Sequence, residues 1–306
     1  MRITLAVLAI LAAACVSALV GPGSGGGGVA VLAALYLALV VLPDPGREKA
    51  VSALLWVSVV VAGSAVAQMP FIPRPPSLFV SPNYLGAFAA IMLFLPDLPD
   101  GRRLRPPTEW TATAWVKPLA IGANATSLCL AQSRGALLAV GAGCCVMLWR
   151  HSRIAALAAP IIAIVAVLMI RAGGDQSVTE RLEVWEAALY GVKWHLVTGN
   201  GFDAPLVFAN GMFYRRFYSV PIDWFAATGL LGAAAGAWLL VEASRRGPEF
   251  HPFLAAWLVQ GLFISAHPAT MVPFFVVLAL AAGAGAAGVE RDEAGVAGVV
   301  LHRQPL

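Results

Sequence analysis

The sequence predicts an all-α, polytopic membrane protein with about ten transmembrane helices and one large loop on the outer, non-cytoplasmic side. Hydrophobic residues make up 59% of the chain and charged residues only 12%, and the mean hydropathy is +0.80. Soluble domains carry about 25% charged residues, so this composition leaves too little polar surface to cover a globule. We therefore expect lipid to be the solvent for much of the chain.

Several apolar runs approach the length of about 20 residues that a membrane-spanning helix requires. The first is longer than the hydrophobic region of a signal peptide, so we expect a retained span. The fifth is the least apolar, because Asn124, Thr126 and Ser127 lie in its middle. These side chains should face other helices or bond back to the backbone, since lipid offers no partner. The predicted spans, within a single membrane domain over 1–306, are 3–20, 29–43, 50–68, 82–97, 116–132, 135–150, 154–171, 222–243, 252–266 and 271–289.

Basic residues predict the orientation of these spans. With the N-terminus inside, 13 of the 20 basic residues fall on inner segments or inner span ends, in agreement with the positive-inside rule. Both termini are therefore predicted to be cytoplasmic. The basic residues form short clusters between apolar runs, which is a topology pattern and not a nucleic-acid-binding stripe. The seven outer ones are Arg74, Arg134, Arg171, Arg181, Lys193, Arg215 and Arg216.

The predicted outer loop, residues 172–221, carries a helix of its own. Residues 177–180 have the composition of a helix start, and glycines at 199 and 201 end the segment. Between them, apolar residues recur at spacings of three and four, which predicts an amphipathic helix suited to the membrane surface. The stripe comprises Val178, Leu182, Trp185, Leu189 and Val192. No His or Asp at helical spacing joins the helix glutamates, so we predict a solvated face and no metal for Glu180, Glu183 and Glu186.

Arg134 is the outer arginine whose position most needs a reason, because it lies at the junction between two apolar spans. A guanidinium group matches phosphate oxygens bidentately and stays charged. A cluster of such groups at the outer face would suit a lipid-linked diphosphate. The alternative is an arginine that reaches back from a helix end to water, and this alternative is favoured for Arg171 and Lys193.

Five segments occur in a fixed order between residues 80 and 235. They are SPNYLG at 81–86, SRGA at 133–136, RLEVWEAA at 181–188, HLVTGNGF at 195–202 and TGLLG at 228–232. In this order they resemble the signature segments of the O-antigen ligase and O-antigen polymerase family. Each match alone is short, and the shared order makes the resemblance more specific.

The resemblance implies a glycosyltransferase in the bacterial inner membrane. Such enzymes transfer a glycan from undecaprenyl pyrophosphate to a lipid, glycan or protein acceptor at the periplasmic face, with inversion and without a metal or other cofactor. In that family, arginines of the outer loops hold the diphosphate. Arg134 and Arg181 match motif positions, whereas Arg215 and Arg216 lie in the corresponding region without a fixed position.

The chain departs from the family at the catalytic base. The family's His–Asn pair falls on Tyr218 and Ser219, and tyrosine, with a reference pKa of about 10, is a poor base. Asp223 is the best substitute, because a carboxylate there would lie near the outer arginines. The alternative is a helix N-terminal acid favoured by the helix dipole. For His195 and His267, the other outer histidines, structural roles are favoured.

Two other functions remain open at this point. A non-catalytic relative would bind the lipid-linked glycan without transferring it, and the missing histidine favours this reading. A transporter of a lipid-linked or anionic solute would need polar residues deep in several spans. The span interiors are almost entirely Ala, Val and Leu, which counts against a transporter.

Overall fold

The structure is a computed structural model that describes residues 44–95, 112–169, 176–201, 207–209, 212–214, 217–264 and 271–279, apart from positions 74, 80, 150 and 246. The predicted spans 3–20 and 29–43 lie outside these residues, as do Arg74 and Arg171. Over the described residues the fold is helical apart from one short hairpin, which confirms the predicted helical class at this level.

The described residues form nine α-helices. They are α1 (Asp44–Gln68), α2 (Pro82–Met92), α3 (Ala112–Ala131), α4 (Arg134–Leu148), α5 (Arg153–Met169), α6 (Gln176–Val192), α7 (Val220–Ser244), α8 (His251–Gly261) and α9 (271–279). Strands β1 (Val207–Ala209) and β2 (Met212–Tyr214) pair antiparallel between α6 and α7. Short 3-10 turns, Lys193–His195 and Pro248–Phe250, follow α6 and precede α8.

Two of the described helices are long and apolar enough to cross a membrane, judged by length and composition. They are Val51–Gln68 within α1 and Val220–Ser244, which is α7, and they coincide with the predicted spans 50–68 and 222–243. Helices α4 and α5 are apolar but shorter. Helices α2 and α8 contain 11 residues each and end earlier than predicted. Pro96 follows α2 in the sequence, and a helix usually ends before a proline.

Helix α2 lies at the centre of the packing. It contacts α3, α4 and α8, and every residue from 85 to 92 is buried. Small residues permit close approach: a Cβ added at Gly86 of α2 would lie 2.7 Å from the Cβ of Ser133. Between α4 and α5, a Cβ added at Gly141 would lie 2.6 Å from the Cβ of Ala163. Glycine and alanine at helix contacts are typical of helices that pack within lipid.

The polar side chains of α3 behave as predicted for the fifth span. Asn124 and Ser127 are buried. Thr126 is exposed, and its Oγ1 donates to the carbonyl of Gly122 at 2.9 Å. These groups therefore either lie inside the protein or bond back to their own helix.

Helix α7 is interrupted at Gly229, whose backbone has φ 63° and ψ −156°. The turn formed by residues 196–201 inserts at this break. The N–H groups of Asn200 and Gly201 donate to the carbonyls of Ala226 and Ala227, at 2.8 and 2.9 Å. These carbonyls end the first half of α7 and would otherwise lack helical partners.

The second half of α7 begins on the same turn. The N–H groups of Leu230 and Leu231 donate to the carbonyls of Leu196 and Val197, at 2.9 and 3.2 Å. We call residues 196–201 the inserted turn. It supplies hydrogen-bond partners to both halves of the broken helix, so the break leaves these four backbone groups satisfied.

Two glycines allow the inserted turn to approach so closely. Gly199 and Gly229 have φ of 72° and 63°, in the left-handed region. A Cβ at Gly229 would lie 2.5 Å from the amide nitrogen of Gly199, and one at Gly199 would overlap the carbonyl of Ala227. Neither position can accept a side chain without moving the other segment.

We expect Gly229→Ala to lower the free energy of unfolding by about 2 kcal/mol or more, because it adds left-handed strain to a steric clash. Thermal melting of the purified full-length protein measures this loss. Gly191→Ala is the matched control, since nothing lies within 4 Å of a Cβ at that helical position. A Gly229→Ala protein that melts with the wild type would show that the broken helix is wrong.

Candidate functional site

Phe263 lies just beyond α8 and contacts two segments, one containing Arg134 and the other containing Arg181. The Nη1 of Arg181 donates to the Phe263 carbonyl at 3.3 Å. A Cβ at Gly135 would lie 2.8 Å from the Cβ of Phe263. The structure thus brings the start of α4 and the first half of α6 to one residue, although they are distant along the chain.

Arg134 is the first residue of α4. Ser133 precedes it in an extended conformation as the N-cap residue, and Gln132 turns the chain with a φ of 47°. The Nε atom of Arg134 is buried. Because Gly86 packs against Ser133, two of the five motif segments are in contact at this point.

Arg181 is half-buried and lies beside an aromatic ring. Its Cζ is 5.9 Å from the ring centroid of Tyr218. Burial lowers the pKa of the Arg181 guanidinium from its ordinary value, and the nearby Tyr218 oxygen acts in the opposite direction. An arginine stays protonated in proteins, so the site holds a fixed positive charge.

The turn at Phe217–Ser219 is held from two sides. The Phe217 N–H donates to Oδ1 of Asp223 at 2.7 Å, and the Phe217 carbonyl accepts from Nε1 of Trp185 at 2.6 Å. Tyr218, in the middle of this turn, has a φ of 56°. A bulky residue in the left-handed region costs on the order of 1–3 kcal/mol and persists when its surroundings over-determine it.

Helix α6 packs on the start of α7 through one apolar face. Val184, Ala188 and Val192 are buried there against Phe217 and Ala226. Of the predicted stripe, Trp185 and Val192 lie on or beside this face. Leu182 and Leu189 are exposed on the outside of the helix.

The structure brings together part of the predicted site. Arg181 contacts Phe263, and Arg134 precedes Gly135, which packs against the same residue. Asp223 accepts a hydrogen bond from the turn whose Tyr218 ring lies beside Arg181. Arg215, Arg216 and His267 lie outside the described residues. His195 lies in the 3-10 turn after α6, where its carbonyl accepts from the Gly199 N–H at 2.6 Å.

Phe263, Trp185 and Tyr218 are the contacts that sequence reasoning did not assign to the site. The sequence predicts Trp185 only as part of the apolar stripe and of the segment 181–188. Phe263 lies in an apolar run, where nothing distinguishes it from its neighbours. The spacing of the resembled segments draws attention to Tyr218 only because a histidine is expected there. It does not predict that the Tyr218 ring lies beside an arginine.

An apolar cleft of about 320 Å³ opens beside the N-terminal end of α7. Val220, Pro221 and Trp224, which flank Asp223 in sequence, line one part of it. The cleft continues along the second half of α7, between Leu240 and residues of α8 and α9 such as Trp257 and Phe274. Its surface could accept a hydrocarbon chain next to the polar turn.

Arg181, the Tyr218 ring and the Asp223 carboxylate lie around the Phe217–Ser219 turn, and the apolar cleft begins at Val220, directly after that turn. In the described part of the chain, no three His, Cys, Asp or Glu side chains could hold a metal ion. Models of known protein families give no match to this sequence, and curated proteins give none either. Chemically, the arrangement suits an anion that carries an apolar group.

We expect Asp223→Ala to lower the free energy of unfolding by about 1–2 kcal/mol, because the buried Phe217 N–H loses a charged acceptor. Asp223→Asn retains a side-chain oxygen and should lose less. Melting curves of the two variants and the wild type measure the difference. Equal stability of all three would show that Asp223 does not hold the Phe217 turn.

Proposed function

We propose that the chain is a bacterial inner-membrane protein of about ten spans that binds an undecaprenyl diphosphate-linked glycan at the periplasmic face and transfers the glycan to an acceptor. The acceptor is a lipid, a growing polysaccharide or a protein. The resemblance to the O-antigen ligase and polymerase family suggests the reaction. The convergence of Arg181 and the Arg134–Gly135 segment on Phe263 is the observation that carries it.

The two arginines supply the charge that a diphosphate needs. A cation at the start of a helix is disfavoured by the helix dipole by about 0.3–1 kcal/mol, and Arg134 occupies that position in α4. A bound anion would reverse the balance, because the guanidinium and the helix N-terminus would both attract it. Arg181 is hydrogen-bonded to Phe263, against which Gly135 packs, so we expect both guanidinium groups to reach one diphosphate.

Transfer then requires attack on the anomeric carbon. The acceptor hydroxyl oxygen forms the new glycosidic bond as the bond from that carbon to the phosphate oxygen breaks, with inversion. The negative charge that develops on the leaving diphosphate is stabilised by the arginines. Asp223 accepts the proton of the hydroxyl in this scheme.

One observation favours the non-catalytic alternative. Oδ1 of Asp223 accepts the Phe217 N–H at 2.7 Å, which gives this carboxylate a structural task, and Tyr218 stands where the family has its histidine. A chain without an effective base would hold the lipid-linked glycan and leave its transfer to another protein. The same assay separates the two functions.

Exposed apolar surface supports the membrane part of the proposal. Helix α5 presents Ile154, Ile162 and Leu168 with exposed fractions of 83%, 67% and 77%. Apolar side chains in such numbers are expected where lipid is the solvent. The cleft beside Val220, Pro221 and Trp224 could take part of the polyprenyl chain while the diphosphate lies at the arginines.

Arg134→Ala and Arg181→Ala should each lower transfer about 100-fold or more, because each removes a charge-stabilising group. The reconstituted full-length protein is given undecaprenyl diphosphate-linked glycan and acceptor membranes, and released undecaprenyl diphosphate is measured. Arg153→Ala is the matched control: Arg153 also lies over an aromatic ring, that of Trp149 at 6.0 Å, but on the predicted inner side. Asp223→Asn, which keeps a side-chain oxygen for the Phe217 N–H, should abolish transfer while glycan-lipid binding persists. Binding without transfer in the wild type would select the non-catalytic function. Absence of binding would contradict both the transferase and the non-catalytic function.

Labelling of single cysteines tests the orientation. In a variant without the native cysteines, we expect Glu183→Cys on α6 to react with a membrane-impermeant maleimide in intact spheroplasts. Ser152→Cys, before α5, should react only after permeabilisation. Both positions are exposed, so access to reagent depends on the side of the membrane. The reverse pattern would place the arginines in the cytosol and contradict the proposed function.

A further inference from the structure

Tyr218 is one of three non-glycine residues with positive φ in the described chain; the others are Ser77 and Gln132. Glycine would take this conformation at no steric cost. Strained residues of this kind cluster at functional sites, where neighbouring contacts hold them. The question is what the strained conformation of Tyr218 achieves.

The neighbouring contacts leave Tyr218 no freedom to relax. Phe217 is bonded through its N–H to Asp223 and through its carbonyl to Trp185. Ser219, on the other side, is buried as the N-cap residue of α7. The backbone of residue 218 is therefore fixed between Phe217, which is bonded to both α6 and α7, and Ser219, which caps α7.

The result is an aromatic ring presented beside a guanidinium group. The Tyr218 side chain keeps 44% of its surface exposed, although both of its neighbours are buried. Its ring centroid lies 5.9 Å from Cζ of Arg181. A ligand held at Arg181 would therefore lie next to this partly exposed ring.

We propose that the ring of Tyr218 is a stacking platform for the first sugar of the lipid-linked glycan, the sugar bonded directly to the diphosphate. This inference rests on the proposed function. A pyranose has an apolar face of C–H groups, and its anomeric oxygen is shared with the first phosphate. When Arg181 holds that phosphate, the sugar is bonded to the phosphate through the anomeric oxygen, and the ring of Tyr218 is the aromatic group that lies next to Arg181.

A competing role for the ring is to position Arg181. An aromatic face within about 6 Å attracts a cation, so loss of the ring could weaken phosphate binding without any contact to sugar. The two roles differ in which part of the ligand they affect. A platform acts on the sugar, whereas a support for Arg181 acts on the diphosphate.

The test compares two probes on the full-length protein in lipid nanodiscs: undecaprenyl diphosphate, and undecaprenyl diphosphate bearing one N-acetylglucosamine. We expect the wild type to bind the sugar-bearing probe about tenfold more tightly, the effect of burying about 50 Å² of apolar surface. Tyr218→Gly accepts the backbone conformation and should bind both probes equally. Tyr218→Phe should keep the preference. Tyr190→Ala, which removes an exposed tyrosine ring over Lys193, should also keep it.

Four results would overturn the platform. Equal weakening of both probes in Tyr218→Gly would show that the ring supports Arg181, and wild-type affinity for both probes in that variant would show that the ring takes no part in binding. A wild type that binds both probes equally would show that the ring makes no favourable contact with the sugar. A wild type that binds neither probe would refute the proposed function itself. The platform, which rests on that function, would then be refuted as well.

Discussion

The four backbone hydrogen bonds between the broken helix α7 and the inserted turn determine where the rest of the site can lie. They join Ala226 and Ala227 to one end of the turn and Leu230 and Leu231 to the other. Because the turn follows α6 through a single 3-10 turn, the bonds hold the end of α6 beside the first half of α7. Arg181 and Trp185, earlier on α6, are thereby held beside the residues that precede α7.

This arrangement also explains how a chain of such low polarity can carry a helix break. An unsatisfied backbone group in lipid costs several kcal/mol, so a break is tolerated only where partners are supplied. In the proposed membrane setting the inserted turn supplies them. The first half of α7 then acts as a short helix, and its N-terminal turn, with Ser219 and Asp223, becomes part of a polar site instead of a continuous span.

Arg134 and Arg181 could be chosen in advance because a charged residue in an apolar chain needs a reason, and because both lie in ordered motifs. The place where their segments meet could not be predicted from the sequence. Phe263 joins their segments, through its carbonyl to Arg181 and through its side chain to Gly135, and neither contact is encoded in the type of residue. The strained backbone of Tyr218 had no local signal either, since tyrosine rarely adopts a positive φ.

Composition and periodicity were sufficient for the helical class, for a helix near 177–192 and for polar groups of α3 that are buried or bonded back to their own helix. These properties depend on residues that are neighbours along the chain, so a local pattern records them. The ends of α2 and α8, the break at Gly229 and the pairing of Gly199 with Gly229 depend on segments that are far apart in sequence. Hydrogen-bond partners and close packing across such distances exist only once the chain has folded, and they decided which of the predicted residues share one site.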